Sequence, residues 1–189
     1  QEELSGYMAG YAAVKLGYKH LGYLGGMAVP AVQRFGYGYL QGIDAAAKEL
    51  GIVGDIKVEY VYGNQFYGDA DITAVMDTWY GEKGVECVFA CGGGIWSSAA
   101  EAAAKVGGKV IGVDVDQAAI IDGMYGAGMT VTSAMKGLAP TVKDTLKDVI
   151  ENGNWAAYGA QISNLGLVSA EDPTLNYVQI PMETTHWCD

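Results

Sequence analysis

Val110-Ile111-Gly112-Val113-Asp114-Val115-Asp116-Gln117 is an apolar, strand-like run that ends in two acids its own periodicity does not require. In an open α/β sheet the carboxyl ends of the strands face the ligand crevice. Asp114 and Asp116 are two apart, so both point to one side if the strand continues, and both sit in a loop at the crevice mouth if it has ended. A carboxylate there can accept hydrogen bonds from paired sugar hydroxyls, cap the following helix, or bind a metal. With no His or Cys nearby to complete a transition-metal set, sugar binding and capping are the better readings.

On either side of this run, short β-like segments alternate with longer helical ones. Leu4 to Leu16 reads as a helix whose small residues Gly6, Ala9, Gly10, Ala12 and Ala13 imply close packing. His20 to Gly26 is a first strand running into a glycine turn. Pro30 then suits the first turn of a helix with the stripe Val32, Phe35, Tyr39, Ile43, Ala46 and Leu50, stopped by Gly51. Ile56 to Tyr62, Val85 to Ala90, Lys109 to Val113 and Met129 to Thr132 read as further strands. Asp69 to Gly81, Trp96 to Val106 and Ser133 to Ile150 read as helices. Such alternation predicts βαβ units, hence an α/β fold with a doubly wound parallel sheet and right-handed crossovers. The tail differs. From Gly159 to Pro181 the pattern is β-like without helices, with strands expected at Ala160–Val168 and Asn176–Ile180 around a turn at Asp172-Pro173.

In this topology the loops after the strands converge. They carry Gly25-Gly26-Met27, Asn64-Gln65-Phe66, Gly92-Gly93-Gly94-Ile95-Trp96, Asp114 with Asp116, and Ser133 to Lys136. Glycine turns let a ligand approach the backbone, Phe66 and Trp96 offer aromatic faces, and Lys136 is a cationic donor near the two aspartates. Stacking faces with a carboxylate and a lysine suit a nucleoside, a flat base joined to a ribose diol. The triple glycine is not a Walker loop, lacking the Gly-Lys-Ser/Thr ending. Nor is it the Gly-x-Gly-x-x-Gly fingerprint, because Ser97 stands where the last glycine belongs.

Composition excludes other classes. The formal net charge is −11 and Arg34 is the only arginine, so there is no basic stripe to neutralise the phosphates of a nucleic acid. No apolar run reaches the ~20 residues that span a bilayer. Cys87 and Cys91 would lie ~13 Å apart along one strand, beyond the ~7 Å limit for a disulfide, and with Cys188 they make no zinc site. His20 and His186 both fall outside the strand-end loops, which leaves a catalytic reading without a base.

Tyr7 to Ala13, Gly22 to Met27, Pro30, Arg34-Phe35, Gly42, Gly92-Gly93, Gly112 to Gln117 and Thr132 to Lys136, in that order, resemble the basic membrane lipoprotein family, the PnrA-like nucleoside-binding proteins of ABC importers. The resemblance implies a type I periplasmic-binding-protein fold, two lobes closing on a ligand without catalysis or cofactor. On this basis 19–158 is expected to be the second lobe, 1–18 a helix leading from a first lobe, and 159–189 a β-rich crossover segment. It also implies a purine nucleoside as ligand, an ABC permease as partner, and an extracytoplasmic protein held to the membrane only by a lipid anchor absent from this sequence. Carried over by motif, Asp114 holds the ribose with Lys136 nearby, Phe66 stacks on the purine, and Gly93 and Met27 line the cleft. The family often has Gly-Gly-Thr-Gly where this chain has Gly92-Gly93-Gly94-Ile95, so Trp96 is expected to replace or add to a stacking face. A ligand-sensing regulatory domain of the same fold, or a sugar as ligand, are the alternatives.

Overall fold

A computed structural model describes residues 1–186; Cys188 lies outside them. Its strands are β1 (His20–Gly25), β2 (Lys57–Tyr62), β3 (Cys87–Cys91), β4 (Lys109–Asp114), β5 (Thr130–Lys136) and β6 (Val178–Gln179), in the order β2-β1-β3-β4-β5-β6. Every neighbouring pair is parallel except β5 and β6. The helices are α1 (Glu2–Lys15), α2 (Pro30–Leu50), α3 (Ala70–Asp77), α4 (Trp96–Ala104), α5 (Ala118–Tyr125) and α6 (Leu138–Ile150). The strand order turns back at β1, which has β2 on one side and β3 on the other. Helices must therefore cross to both faces, the doubly wound arrangement with its switch point between β1 and β3.

The four central strands, β1, β3, β4 and β5, bury both faces, while β2 at the edge is only partly buried. Cys87, Phe89 and Cys91 of β3 point into one core with α1 and α2, while Val88 and Ala90 point into a second core with α3, α4 and α5. In the first core Phe89 meets the rings of Tyr23, Phe35 and Tyr39 edge-on at centroid distances of 5.4, 6.0 and 5.2 Å. Val32, Phe35, Tyr39, Ile43 and Ala46 of the α2 stripe are buried as the periodicity predicts, and Gly51 ends the helix in the left-handed region at φ 69°. Leu50 is exposed.

The structure corrects three boundaries. Ser133 to Lys136 continues β5 instead of opening a helix, because β4 offers partners as far as Asp114 opposite Met135. Ala118–Tyr125 is a further helix between β4 and β5, beyond those the periodicity predicts. Ala160–Val168 pairs with no strand, and only Val178–Gln179 joins the sheet, at the β5 edge. None of the described helices is long and apolar enough to cross a membrane.

Helices α1 and α2 meet backbone to backbone. A Cβ at Gly6 or Gly10 would strike the carbonyl of Phe35 or Tyr39, and one at Gly38 or Gly42 would strike that of Glu3 or Tyr7. Both helices thus present glycines four residues apart, on one face of each. The joint also carries an ion pair, Arg34 Nε to Glu2 Oε2 at 2.7 Å. Burial pushes the Glu2 carboxyl up, but the Arg34 hydrogen bond, a backbone hydrogen bond and the guanidinium charge outweigh it and hold the group at about 2 instead of 4.5. A depressed folded pKa contributes stability above the unfolded value that is lost as pH falls through the folded one. Between pH 4.5 and about 2 the unfolding free energy, followed by urea titration, is therefore expected to fall more steeply in the wild type than in Arg34→Gln.

Candidate functional site

A hollow of about 250 Å³ opens at the carboxyl ends of β1, β3, β4 and β5, at the switch point. Its walls include Val29, Val32, Phe35, Phe66, Cys91, Gly93, Asp114 and Lys136. A larger hollow of about 450 Å³ lies between α3 and α4, where Lys105 pairs with Asp77 at 2.8 Å and Thr73 with Ser98 at 2.9 Å. The strand-end hollow is the one that lies at the switch point and brings Phe66, Gly93, Asp114 and Lys136 together.

Asp114 decides its character. It has φ +69°, and the Val115 N–H donates to the Val113 carbonyl at 2.8 Å, closing a tight three-residue turn around it. For a residue with a Cβ this region costs of order 1–3 kcal/mol. The carboxylate meets Lys136 Nζ at 2.8 Å, yet the two side chains are 39% and 34% exposed, and such a pair contributes only ~0–1 kcal/mol. The ion pair does not offset the turn. What the turn achieves is placement of the carboxylate in the hollow, with Lys136 Nζ also 5.6 Å from the centre of the Phe35 ring.

Phe66 forms the aromatic wall. Its ring lies against Gly26, where a Cβ would collide with it, and beside Gly92, where a Cβ would crowd the ring and the Gly26 backbone. The Gly94 N–H donates to the Phe66 carbonyl at 2.8 Å, and Gly93 takes φ +51° beneath that carbonyl. The ring stays 41% exposed, a flat apolar surface on a rigid main-chain support. Burial pushes the Cys91 thiol at the base up to about 12, so it carries no thiolate at neutral pH.

Of the residues the sequence singles out, Phe66, Gly93, Asp114 and Lys136 line one hollow. Three others do not. Trp96 is only 7% exposed and belongs to the second core, where its ring meets Tyr125 edge-on. The spacing of Trp96, Ala99, Ala100 and Ala103 on α4 is a buried helical stripe, and that signal was present in the sequence. Asp116 is a cap: its carboxylate accepts the Ala118 N–H at 3.1 Å and the Thr184 hydroxyl at 2.7 Å. Met27 is exposed in the turn after β1, outside the lining residues. The sequence reading missed Val29, Val32, Phe35 and Cys91 as lining, because the last three already served as core. Among the described residues no three His, Cys, Asp or Glu side chains come together as a metal site.

A family model for the PnrA-like ABC transporter substrate-binding proteins (Bmp) matches residues 1–179. The chain belongs to this family. It is 28% identical over 169 residues to basic membrane protein B of Borreliella burgdorferi, which covers 87% of this chain and 46% of that protein. It is 30% identical over 166 residues to the ABC transporter nucleoside-binding protein BmpA of Lactococcus lactis, covering 80% of this chain and 44% of that one. An ABC transporter solute-binding protein of Aeropyrum pernix superposes with a TM-score of 0.63 at 22% identity, over 80% of this chain and 42% of that structure. The chain thus spans about half the length of the relatives it matches, and the solved neighbour shares its α/β solute-binding fold.

Proposed function

We propose that this chain forms one wall of a nucleoside-binding cleft in an extracytoplasmic, lipid-anchored receptor that hands its ligand to an ABC permease and does no chemistry on it. The observation that carries the reading is Asp114, held in a costly backbone conformation beside Lys136 and facing the same hollow as the exposed Phe66 ring. A carboxylate accepts two hydroxyl hydrogen bonds at once, which suits a ribose diol, and a supported ring suits a purine. The nucleoside-binding description of the Lactococcus lactis relative supports the ligand class. A volume of about 250 Å³ falls below the roughly 300–1,000 Å³ of complete ligand pockets, as one side of a two-sided cleft should. In this reading 19–158 is the second lobe, and 159–189 crosses toward the other.

An NMR amide titration of this chain with guanosine, using ribose and NAD as controls, tests the proposal, since it detects millimolar binding and locates it. Shifts at Phe66, Gly93 and Asp114 with guanosine, and weaker ones with ribose, are expected. Guanosine shifts that leave Phe66 and Asp114 unmoved, or ribose shifts as large as those of guanosine, would overturn it.

A further inference from the structure

The parallel ladder between β3 and β4 stops early. It pairs Cys87 with Lys109, Val88 with Val110 and Phe89 with Ile111, and goes no further although both strands continue. Beyond that point the gap is filled by the side chain of Gln117, from the first turn after the site. Its Oε1 accepts the Val113 N–H at 2.9 Å and its Nε2 donates to the Gly93 carbonyl at 3.0 Å. Its own backbone N–H donates to Ser133 Oγ on β5 at 3.1 Å. The amide orientation follows from its partners, one able only to donate and the other only to accept. Gly112 leaves the room for this: a Cβ there would lie 2.9 Å from both Gln117 Cβ and Oε1. The residue is 8% exposed and, unlike Phe66, Gly93, Asp114 and Lys136, is not among those lining the hollow.

We propose that Gln117 is the positioning residue of this site, its amide standing in for a missing length of strand between β3 and β4 and fixing Asp114 for a ribose diol. The ribose half rests on the nucleoside reading above. Val113 is the residue immediately before the strained turn, and its carbonyl closes that turn, so a hydrogen bond to its N–H sets where Asp114 points. The same side chain holds the Gly93 carbonyl, so the glycine wall and the carboxylate move together or not at all. An amide is required, because the gap presents one donor and one acceptor.

The test uses the 189-residue chain, wild type, Gln117→Met and Gln117→Glu. Methionine keeps the length without either hydrogen bond, and glutamate keeps the acceptor for Val113 while losing the donor for Gly93. Two quantities are read by NMR: hydrogen exchange at Val113 relative to Leu21 in β1, and the affinity ratio of guanosine to 2′,3′-dideoxyguanosine. Gln117→Met is expected to speed Val113 exchange about tenfold relative to Leu21 and to collapse an affinity ratio of about tenfold toward one. Gln117→Glu is expected to keep Val113 protected. Loss of Val113 protection in Gln117→Glu, unchanged Val113 exchange in Gln117→Met, or equal loss of affinity for both ligands with the ratio intact, would each overturn the proposal. A wild type that binds both ligands equally overturns the ribose reading, and the exchange data then decide the positioning role alone.

Discussion

Gly38→Ala is expected to destabilise the chain by about 3 kcal/mol, while Gly123→Ala stabilises it by roughly 0.5–1 kcal/mol. Both replace a helical glycine with the best helix former, so propensity alone predicts a gain at each site. Packing reverses the sign at one of them. The new methyl at Gly38 would fall on the Glu3 carbonyl, a backbone group with no rotamer to adopt, whereas the one at Gly123 meets nothing within 4 Å. Separating α1 from α2 enough to admit it would also open the contacts at Gly6, Gly10 and Gly42. Against a total stability of roughly 5–15 kcal/mol that is a large fraction. Urea unfolding of both variants measures it, and a stabilised Gly38→Ala would show that the helices separate freely.

Asp114→Ala is expected to weaken guanosine binding by roughly ten- to a hundredfold, the ~1.5–3 kcal/mol of a hydrogen bond to a charged group. Alanine tolerates φ +69° less well than aspartate, so part of any loss could come from the turn. Asp114→Gly separates the two effects. Glycine occupies that region freely, and this variant should be as weak in binding yet more stable than the wild type by about 1 kcal/mol. Isothermal or NMR titration, paired with urea unfolding, reads both quantities. Unchanged affinity in either variant would remove Asp114 from the site.

Where a single segment carried its own periodicity, the sequence was sufficient. The α2 stripe from Val32 to Ala46, its stop at Gly51, and the carboxylate at the end of β4 were all legible because each is decided within a few residues. What depends on partners was not. The alternation at Ala160–Val168 resembles a strand, but alternation supplies no partner, and in the fold this segment joins no ladder while Val178–Gln179 pairs with the end of β5. Ser133 resembles a helix cap, yet its hydroxyl accepts from the Gln117 backbone while its own backbone continues β5. Two aspartates of the same type, two residues apart, take opposite roles because the backbone turns at Asp114: one faces the hollow and the other caps α5. Gln117 carried no local signal, since the gap it fills exists only once β3 and β4 are paired and their ladder stops short.

The floor beneath Phe66 limits how this wall can be redesigned. A platform propped by side chains can be raised, lowered or tilted by exchanging them one at a time. This ring sits on the main chain of Gly26 and Gly92, where the smallest addition collides with it at the first and crowds it at the second. Engineering the wall for a thicker or differently tilted ring therefore has to begin beside it, at Val29 and Ala31, and leave the floor untouched.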